Sequence, residues 1–291
     1  MPELPEVETI KRQLEKVIRN QKIESVRILR KKSFVGARKE LIGKKIKKID
    51  RRGKLLILEL APLRGKVGTE KRCLVIHLKM TGQLVYVSGS KRIVGGHPTS
   101  DWMKKLPSKH TRVVIKLTKG TLFFNDLRVF GWMKLLDPDQ VNHLLGQLGP
   151  DVTSKHFDKN YLRDVLEVSG RKVKLVLLDQ NKMAGLGNIY VNDGLYYAKV
   201  NPGMRGNKLA LDEEKVHELY IGIKRVIGRG IQYKGASETN YVHVDGMGGT
   251  YQEHYLVYKK NGQPCERCQT KIKKIMLGGR GTYYCPKCQR V

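Results

Sequence analysis

The chain opens Met-Pro-Glu-Leu-Pro-Glu-Val-Glu. Removal of Met1 would leave Pro2 with a free secondary amine, the one nitrogen here that can act as a nucleophile without a base beside it. An α-amino group titrates near about 8, against about 10.4 for a lysine, so a useful fraction is unprotonated at neutral pH. Attack on an aldehyde-level carbon gives a cationic iminium, the electron sink of Schiff-base catalysis. Glu3 is adjacent and suited to moving protons. The plainer interpretation is a helix cap, because Pro5 fits a first turn and Glu6 and Glu8 fit the positive end of a helix dipole.

Cys265-x2-Cys268, sixteen intervening residues and Cys285-x2-Cys288 form the spacing of a four-thiolate zinc site. Four sulfurs close the tetrahedral shell and leave no position for a water, so one Zn2+ here is structural. Gly278-Gly279-Arg280-Gly281 lies between the pairs and reads as a hairpin tip carrying one arginine. Zinc ribbons also mediate protein contacts, so the cysteines alone do not establish DNA binding. The fifth cysteine, Cys73, stands in an apolar run and reads as a buried thiol.

Weaker signals lie between these ends. Gly185-Leu186-Gly187-Asn188 precedes an apolar helical stretch, where exposed N–H groups could cradle a phosphate. Lys54 starts a strand after Arg51 and Arg52, a pattern that a solvated basic turn would also give. HLKMTG presents Met80 in a turn, and NDLRVFG presents Arg128 and Phe130 two residues apart, on one face if the segment is extended. An apolar wedge beside an arginine suits filling a gap in a base stack, although Met and Phe are more often core residues.

Val7, Ile10, Leu14, Val17 and Ile18 predict a helix ending near Asn20. Short β-rich runs follow: 23–29, 46–51, 55–60, 73–78, 84–87, 112–117, 121–125 and 132–136, split by glycines and basic turns. They predict a β-sandwich or barrel. Residues 62–72 and 88–109 read as surface insertions with no core. From Pro138 the pattern turns helical, most clearly at Val216, Leu219, Tyr220, Ile223, Val226 and Ile227, with Asp212 as N-cap. Residues 231–250 hold too many glycine and polar residues for a regular element, and a loop of that length is more often functional than idle.

Lys and Arg total 57 against 27 Asp and Glu, a formal charge of +30 in 291 residues. Such an excess could hold a polyanion by neutralising phosphates, while a solvated basic surface or an acidic membrane as partner would fit it as well. No run of 18 apolar residues exists, so no membrane-spanning helix is expected. The start lacks a signal-peptide core, and an odd cysteine count argues against a disulfide framework. A cytoplasmic, nucleoid-associated location and a monomer are the expectations.

The strings MPELPEVET, HLKMTG, LRVFG, AGLGNIY and GRGTYYCPKCQ run in this order over essentially the whole chain. Together they resemble the formamidopyrimidine-DNA glycosylase family of bacterial base-excision repair. The resemblance implies an α+β protein: an N-terminal β-sandwich with a flanking helix (1–135), a helix–two-turn–helix domain (136–256) and a C-terminal zinc-finger hairpin (257–291), with DNA in the cleft between. It implies removal of 8-oxoguanine and formamidopyrimidines from duplex DNA, followed by β,δ-elimination at the abasic site. Pro2 is then the Schiff-base nucleophile and Glu3 the acid/base. Lys54 and Arg280 match residues credited with proton donation in elimination. A clamp on the flanking phosphates fits them better, because ordinary Lys and Arg pKa values suit acid catalysis poorly. Met80, Arg128 and Phe130 match the gap-filling trio, with Arg128 facing the orphaned cytosine. His110, Lys174 and Asn188 match DNA contacts. The chain departs from the family at Asp193, where a glutamate is usual, and at Asn201-Pro202, where His-Pro is usual.

Two alternatives stand beside this reading. An endonuclease VIII-type enzyme would act on oxidised pyrimidines, but Leu4, where that branch commonly has Gly, and the long 231–250 loop favour the purine enzyme. A non-catalytic zinc-ribbon nucleic-acid binder would have no use for Pro2 with Glu3. Within the loop, Gly235, Gly246, Gly248 and Gly249 permit close approach to a base, and Ser237, Thr239 and Tyr241 offer hydroxyls.

Overall fold

The computed structural model describes residues 1–61, 71–97, 103, 105–236 and 249–290. The chain divides into two compact units, one of residues 1–146 with 234–249, the other of 147–233 with 250–291.

In the first unit, α1 (Leu4–Ile18) begins where the sequence punctuates it: Glu3 is the extended N-cap, Pro5 sits in the first turn, and the Glu6 carboxylate reaches back to the Glu3 N–H at 2.8 Å. Val7, Ile10, Leu14 and Ile18 form its buried stripe. Asn20, at φ +64, turns the chain out of the helix in the left-handed conformation that asparagine tolerates.

Two five-stranded sheets follow. One has β1 (Ile23–Ile28), β8 (Thr111–Leu117), β9 (Gly120–Asp126), β6 (Gly82–Ser88) and β7 (Lys91–Gly96) in that order. The other has β2 (Phe34–Val35), β10 (Trp132–Leu136), β5 (Arg72–His77), β4 (Leu55–Leu60) and β3 (Ile46–Arg52). All neighbours are antiparallel except β2 and β10. Alternating side chains of the two sheets, such as Leu56, Leu58, Leu74 and Ile76 from one and Leu84, Val113, Ile115 and Phe124 from the other, share one core with the α1 stripe. Of the sandwich or barrel that the short strands predict, this is the sandwich, with two separate sheets.

Strand β7 corrects the expectation that 88–109 lacks a core. It pairs with β6 along its length, and Ile93 is buried. Its glycines hide it in the sequence but serve packing: a Cβ at Gly95 would lie 2.2 Å from Ile10 Cγ1, so α1 can rest directly on the strand. Helix α2 (Pro138–Gly146) completes this unit against β5 and β10.

The second unit holds α3 (Lys159–Glu167), α4 (Val173–Leu177), α5 (Asn188–Tyr197), α6 (Gly206–Ala210) and α7 (Glu213–Gln232). Asp212 caps α7 by accepting the Lys215 N–H at 3.0 Å, as the sequence predicts. Helix α5 is buried nearly all round, and a Cβ at Gly222 of α7 would meet the Gly194 carbonyl at 2.9 Å, so these two helices touch backbone to backbone. Strands β11 (Lys273–Leu277) and β12 (Arg280–Tyr284) form a hairpin whose two turn glycines, Gly278 and Gly279, both have positive φ, at +57 and +70. Among the described residues, no helix is long and apolar enough to cross a membrane.

Candidate active site and nucleic-acid interface

Pro2 and Glu3 lie at the head of α1 and are both buried, Glu3 to 2 % exposure. Glu6 fixes this end, its Oε2 holding Glu3 and its Oε1 accepting the N–H of Ala236 at 2.7 Å. Gly235 and Gly249 pinch together at the root of the 231–250 segment. A Cβ on Gly249 would sit 2.2 Å from the Gly235 carbonyl oxygen. Residues 231 and 232 still belong to α7. Ser237, Thr239, Tyr241, Gly246 and Gly248, expected to read the base, lie outside the described residues.

Lys54 ends the turn just before β4 and is largely buried. That turn is held from α1: Glu8 accepts from Arg51 Nε at 2.9 Å, and Arg51 Nη1 donates to the Gly53 carbonyl at 3.0 Å. Burial pushes the Glu8 carboxyl up, but hydrogen bonds from Arg51 and Arg12 outweigh it and leave the pKa below its ordinary value.

His77, which sequence reasoning passed over, belongs to the same neighbourhood. Burial first, then the charges of Lys79 and Lys54, lower its pKa to about 3, so it is neutral at physiological pH. Its Nδ1 accepts the Lys79 N–H at 2.9 Å, which leaves Nε2 as the protonated donor nitrogen. The available signal was its place at the head of HLKMTG.

Met80, Arg128 and Phe130 are brought together. The Arg128 Nη1 lies 3.3 Å from Met80 Sδ and its guanidinium carbon 4.7 Å from the centre of the Phe130 ring. Met80 is 41 % and Phe130 47 % exposed, so neither is a core residue. An open depression of about 420 Å³ beside them is lined by Lys32, Lys79 and Trp132 as well. His110 is half-buried, and its carbonyl accepts the Asp126 N–H at 2.9 Å.

In the second unit, Asn188 starts α5 and donates to the Gly281 carbonyl at 3.1 Å. Lys174 shares the Gly281 carbonyl with Asn188. It is 0 % exposed, and its ammonium donates to the Gly281 carbonyl at 3.0 Å and to Thr282 Oγ1 at 2.8 Å. So enclosed, its ammonium is engaged by the hairpin of residues 273–284. Arg280 is exposed at the start of β12, beside the two turn glycines.

The family departures carry structure. Asp193 is fully buried, taking the N–H groups of Val257 and Tyr258 on one oxygen, each at 3.0 Å, and the Tyr251 hydroxyl on the other at 3.1 Å. Asn201 donates to the Gln289 carbonyl at 2.7 Å, tying its loop to the end of the finger.

The Sγ atoms of Cys265, Cys268, Cys285 and Cys288 lie within 4.8 Å of one another, with close pairs at 3.4 and 3.9 Å. A tetrahedron with Zn–S near 2.3 Å has edges of about 3.8 Å, so the cluster fits one zinc ion. Cys73 is not a member.

The comparisons with known proteins agree with this geometry. Residues 1–133 match the formamidopyrimidine-DNA glycosylase N-terminal domain, 148–242 its H2TH domain, and 262–291 the zinc finger found in FPG and IleRS. A formamidopyrimidine-DNA glycosylase from Pelotomaculum thermopropionicum is 36% identical, with 100% of both chains covered. Crystal structures of the Lactococcus lactis enzyme, as a mutant with Fapy-dG DNA and in a complex with abasic-site DNA, each superpose with a TM-score of 0.85 at 36% identity over 100% of both chains. The chain belongs to the formamidopyrimidine-DNA glycosylase family.

Proposed function

We propose that the protein is a base-excision repair DNA glycosylase and abasic-site lyase that removes 8-oxoguanine and formamidopyrimidines from duplex DNA. The observation that carries this reading is the assembled trio of Met80, Arg128 and Phe130 in the unit whose first helix directly follows Pro2 and Glu3. A base must leave the stack before chemistry, at a cost of a few kcal/mol, and side chains that fill the gap offset that cost. The relatives crystallised with Fapy-dG and abasic-site DNA support the substrate class.

Once Met1 is removed, the Pro2 nitrogen attacks C1′ of the extruded nucleotide. The glycosidic electrons leave with the base, Glu3 handles the protons, and the sugar ring opens to an iminium. The iminium acidifies the C2′ hydrogen, so loss of that proton expels the 3′ phosphate and a second elimination expels the 5′ phosphate. Lys54 and Arg280 clamp the flanking phosphates, and neutral His77 adds an N–H donor beside Lys54. Arg128 reads the orphaned cytosine, while His110 and Asn188 hold the backbone. The four thiolates hold the zinc that folds the finger. The charge of +30 supports association with the nucleoid, and one chain carries every named group, so we take the monomer as the active form.

Borohydride trapping on single-lesion duplexes tests the reading. A covalent adduct is expected on Pro2, and Glu3→Gln is expected to bind DNA without excising the base. An adduct on a lysine with Pro2 unmodified would overturn the nucleophile. Activity confined to oxidised pyrimidines would instead favour the endonuclease VIII-type enzyme.

A further inference from the structure

Asp126 ends β9 with 0 % exposure, and its carboxylate meets three donors. Oδ1 accepts the Thr81 hydroxyl and the Arg128 N–H, the latter at 3.2 Å. Oδ2 accepts the Gly131 N–H at 2.6 Å. Thr81 Oγ1 also accepts the Arg128 N–H at 2.9 Å, so Thr81, Arg128 and Asp126 close a small ring of hydrogen bonds. The backbone of Asp126 is tied as well, its N–H to the His110 carbonyl at 2.9 Å and its carbonyl to Arg112 Nε at 2.8 Å.

These donors are the chain neighbours of the wedge. Thr81 follows Met80, Gly131 follows Phe130, and Arg128 is a member of the trio. Two backbone features show that the 127–131 turn is held in an unusual path. Val129, a β-branched residue, stands at φ +57, a conformation that persists only when its surroundings over-determine it. Gly131 has room for no side chain: a Cβ there would meet Phe124 Cζ at 2.8 Å and Asp126 Oδ2 at 3.1 Å. The three side chains are exposed, so packing does not place them.

We propose that Asp126 is the positioning residue of the gap-filling group, its single carboxylate fixing Met80, Arg128 and Phe130 in their stacked arrangement before DNA arrives. The proposal rests on the glycosylase reading above, and it adds that opposite-base discrimination by Arg128 depends on a carboxylate that never touches DNA. Pre-organisation removes the ordering of two turns from the cost of opening the duplex. An Asn cannot replace the Asp, because its Nδ2 would face a backbone N–H donor.

The test compares Asp126→Asn, Thr81→Val and Thr81→Ser with the wild type on 8-oxoguanine paired with cytosine, with adenine, and with a tetrahydrofuran residue that offers no base. Asp126→Asn is expected to lower kcat opposite cytosine about tenfold or more, with KM changed less than about twofold, as for loss of orientation. The cytosine-over-adenine preference should shrink, and the deficit should be smallest opposite tetrahydrofuran. Thr81→Val should move the same way, and Thr81→Ser, which keeps the hydroxyl, should restore wild-type discrimination. If Asp126→Asn fails to fold, the valine and serine pair at Thr81 carries the test. Equal loss on all three substrates, or wild-type discrimination in Thr81→Val, would overturn the positioning role. A wild-type protein inert on every substrate would instead sink the glycosylase reading.

Discussion

Glu6 Oε1 accepts the backbone N–H of Ala236 at 2.7 Å, joining positions 230 residues apart. The other oxygen of that carboxylate holds the N–H of Glu3. Next door Gly235, at φ +83, lies so close that a Cβ would stand 2.7 Å from Glu6 Cγ. One buried side chain thus anchors both Glu3, the proposed acid/base, and the root of the segment expected to meet the base.

Glu6→Gln keeps one good acceptor and sets an amide N–H₂ against a buried backbone donor, a cost of about 1–3 kcal/mol. Gly235→Ala adds a clash and a left-handed alanine. Both variants should melt several degrees lower and lose lesion excision more than cleavage of ready-made abasic sites, measured on the same duplex. Gly235→Ala with wild-type melting and excision would show that the tie carries no weight.

Lys174→Met removes hydrogen bonds from a charged group, each worth about 1.5–3 kcal/mol. Earlier melting and faster zinc loss to a chelator are expected, with no change in the salt dependence of DNA binding. Unchanged melting together with a log–log salt slope smaller by about 1 would identify Lys174 as a phosphate contact after all.

Asp193 predicts a pH signature. Burial pushes its carboxyl up, although N–H groups of residues 256–258 and the Tyr251 hydroxyl pull it partly back. A raised folded pKa means that its stabilising contribution is full below the unfolded value, about 3.9, and is lost as pH rises through the folded value. Asp193→Asn keeps the shape without the charge, so its melting temperature should gain on the wild type from pH 4 toward neutrality. Parallel curves for the two proteins would contradict the linkage.

The finger should hold one zinc per chain. Cys268→Ser should lower metal content and DNA affinity together, because folding of such a finger depends on its ion, while Cys73→Ser should leave both alone. The Tyr196 hydroxyl lies 3.1 Å from Cys265 Sγ, with the Arg267 guanidinium 3.9 Å over its ring. Donating to a zinc-bound thiolate lowers its nucleophilicity, so Tyr196→Phe should release zinc faster on peroxide challenge. Equal release rates would exclude that protection.

Strands such as 55–60 and 132–136 were legible because apolar runs between basic turns specify local backbone directly. The zinc cysteines and the Asp212 cap were legible for the same reason: each is a short-range pattern with one physical purpose. Strand β7 was not, since Gly95 looks like a breaker until Ile10 is seen above it. Lys174 reads as part of a basic patch, and only Gly281 and Thr282, distant in sequence, reveal that it is enclosed. The wedge residues were visible by type, but the carboxylate of Asp126 that serves all three was not, because its donors are backbone groups that no sequence spells out.

The pinched glycines Gly235 and Gly249 bear on how such an enzyme acquires a new lesion range. With the ends of the segment already brought together, changing its length alters closure entropy slowly, by about 0.6 kcal/mol per doubling. A chimera that exchanges residues 237–248 for a relative's counterpart is therefore expected to leave the sandwich and the N-terminal amine untouched. If that segment reads the base, as proposed, such an exchange would alter which lesion is taken while the chemistry at Pro2 stays as it is.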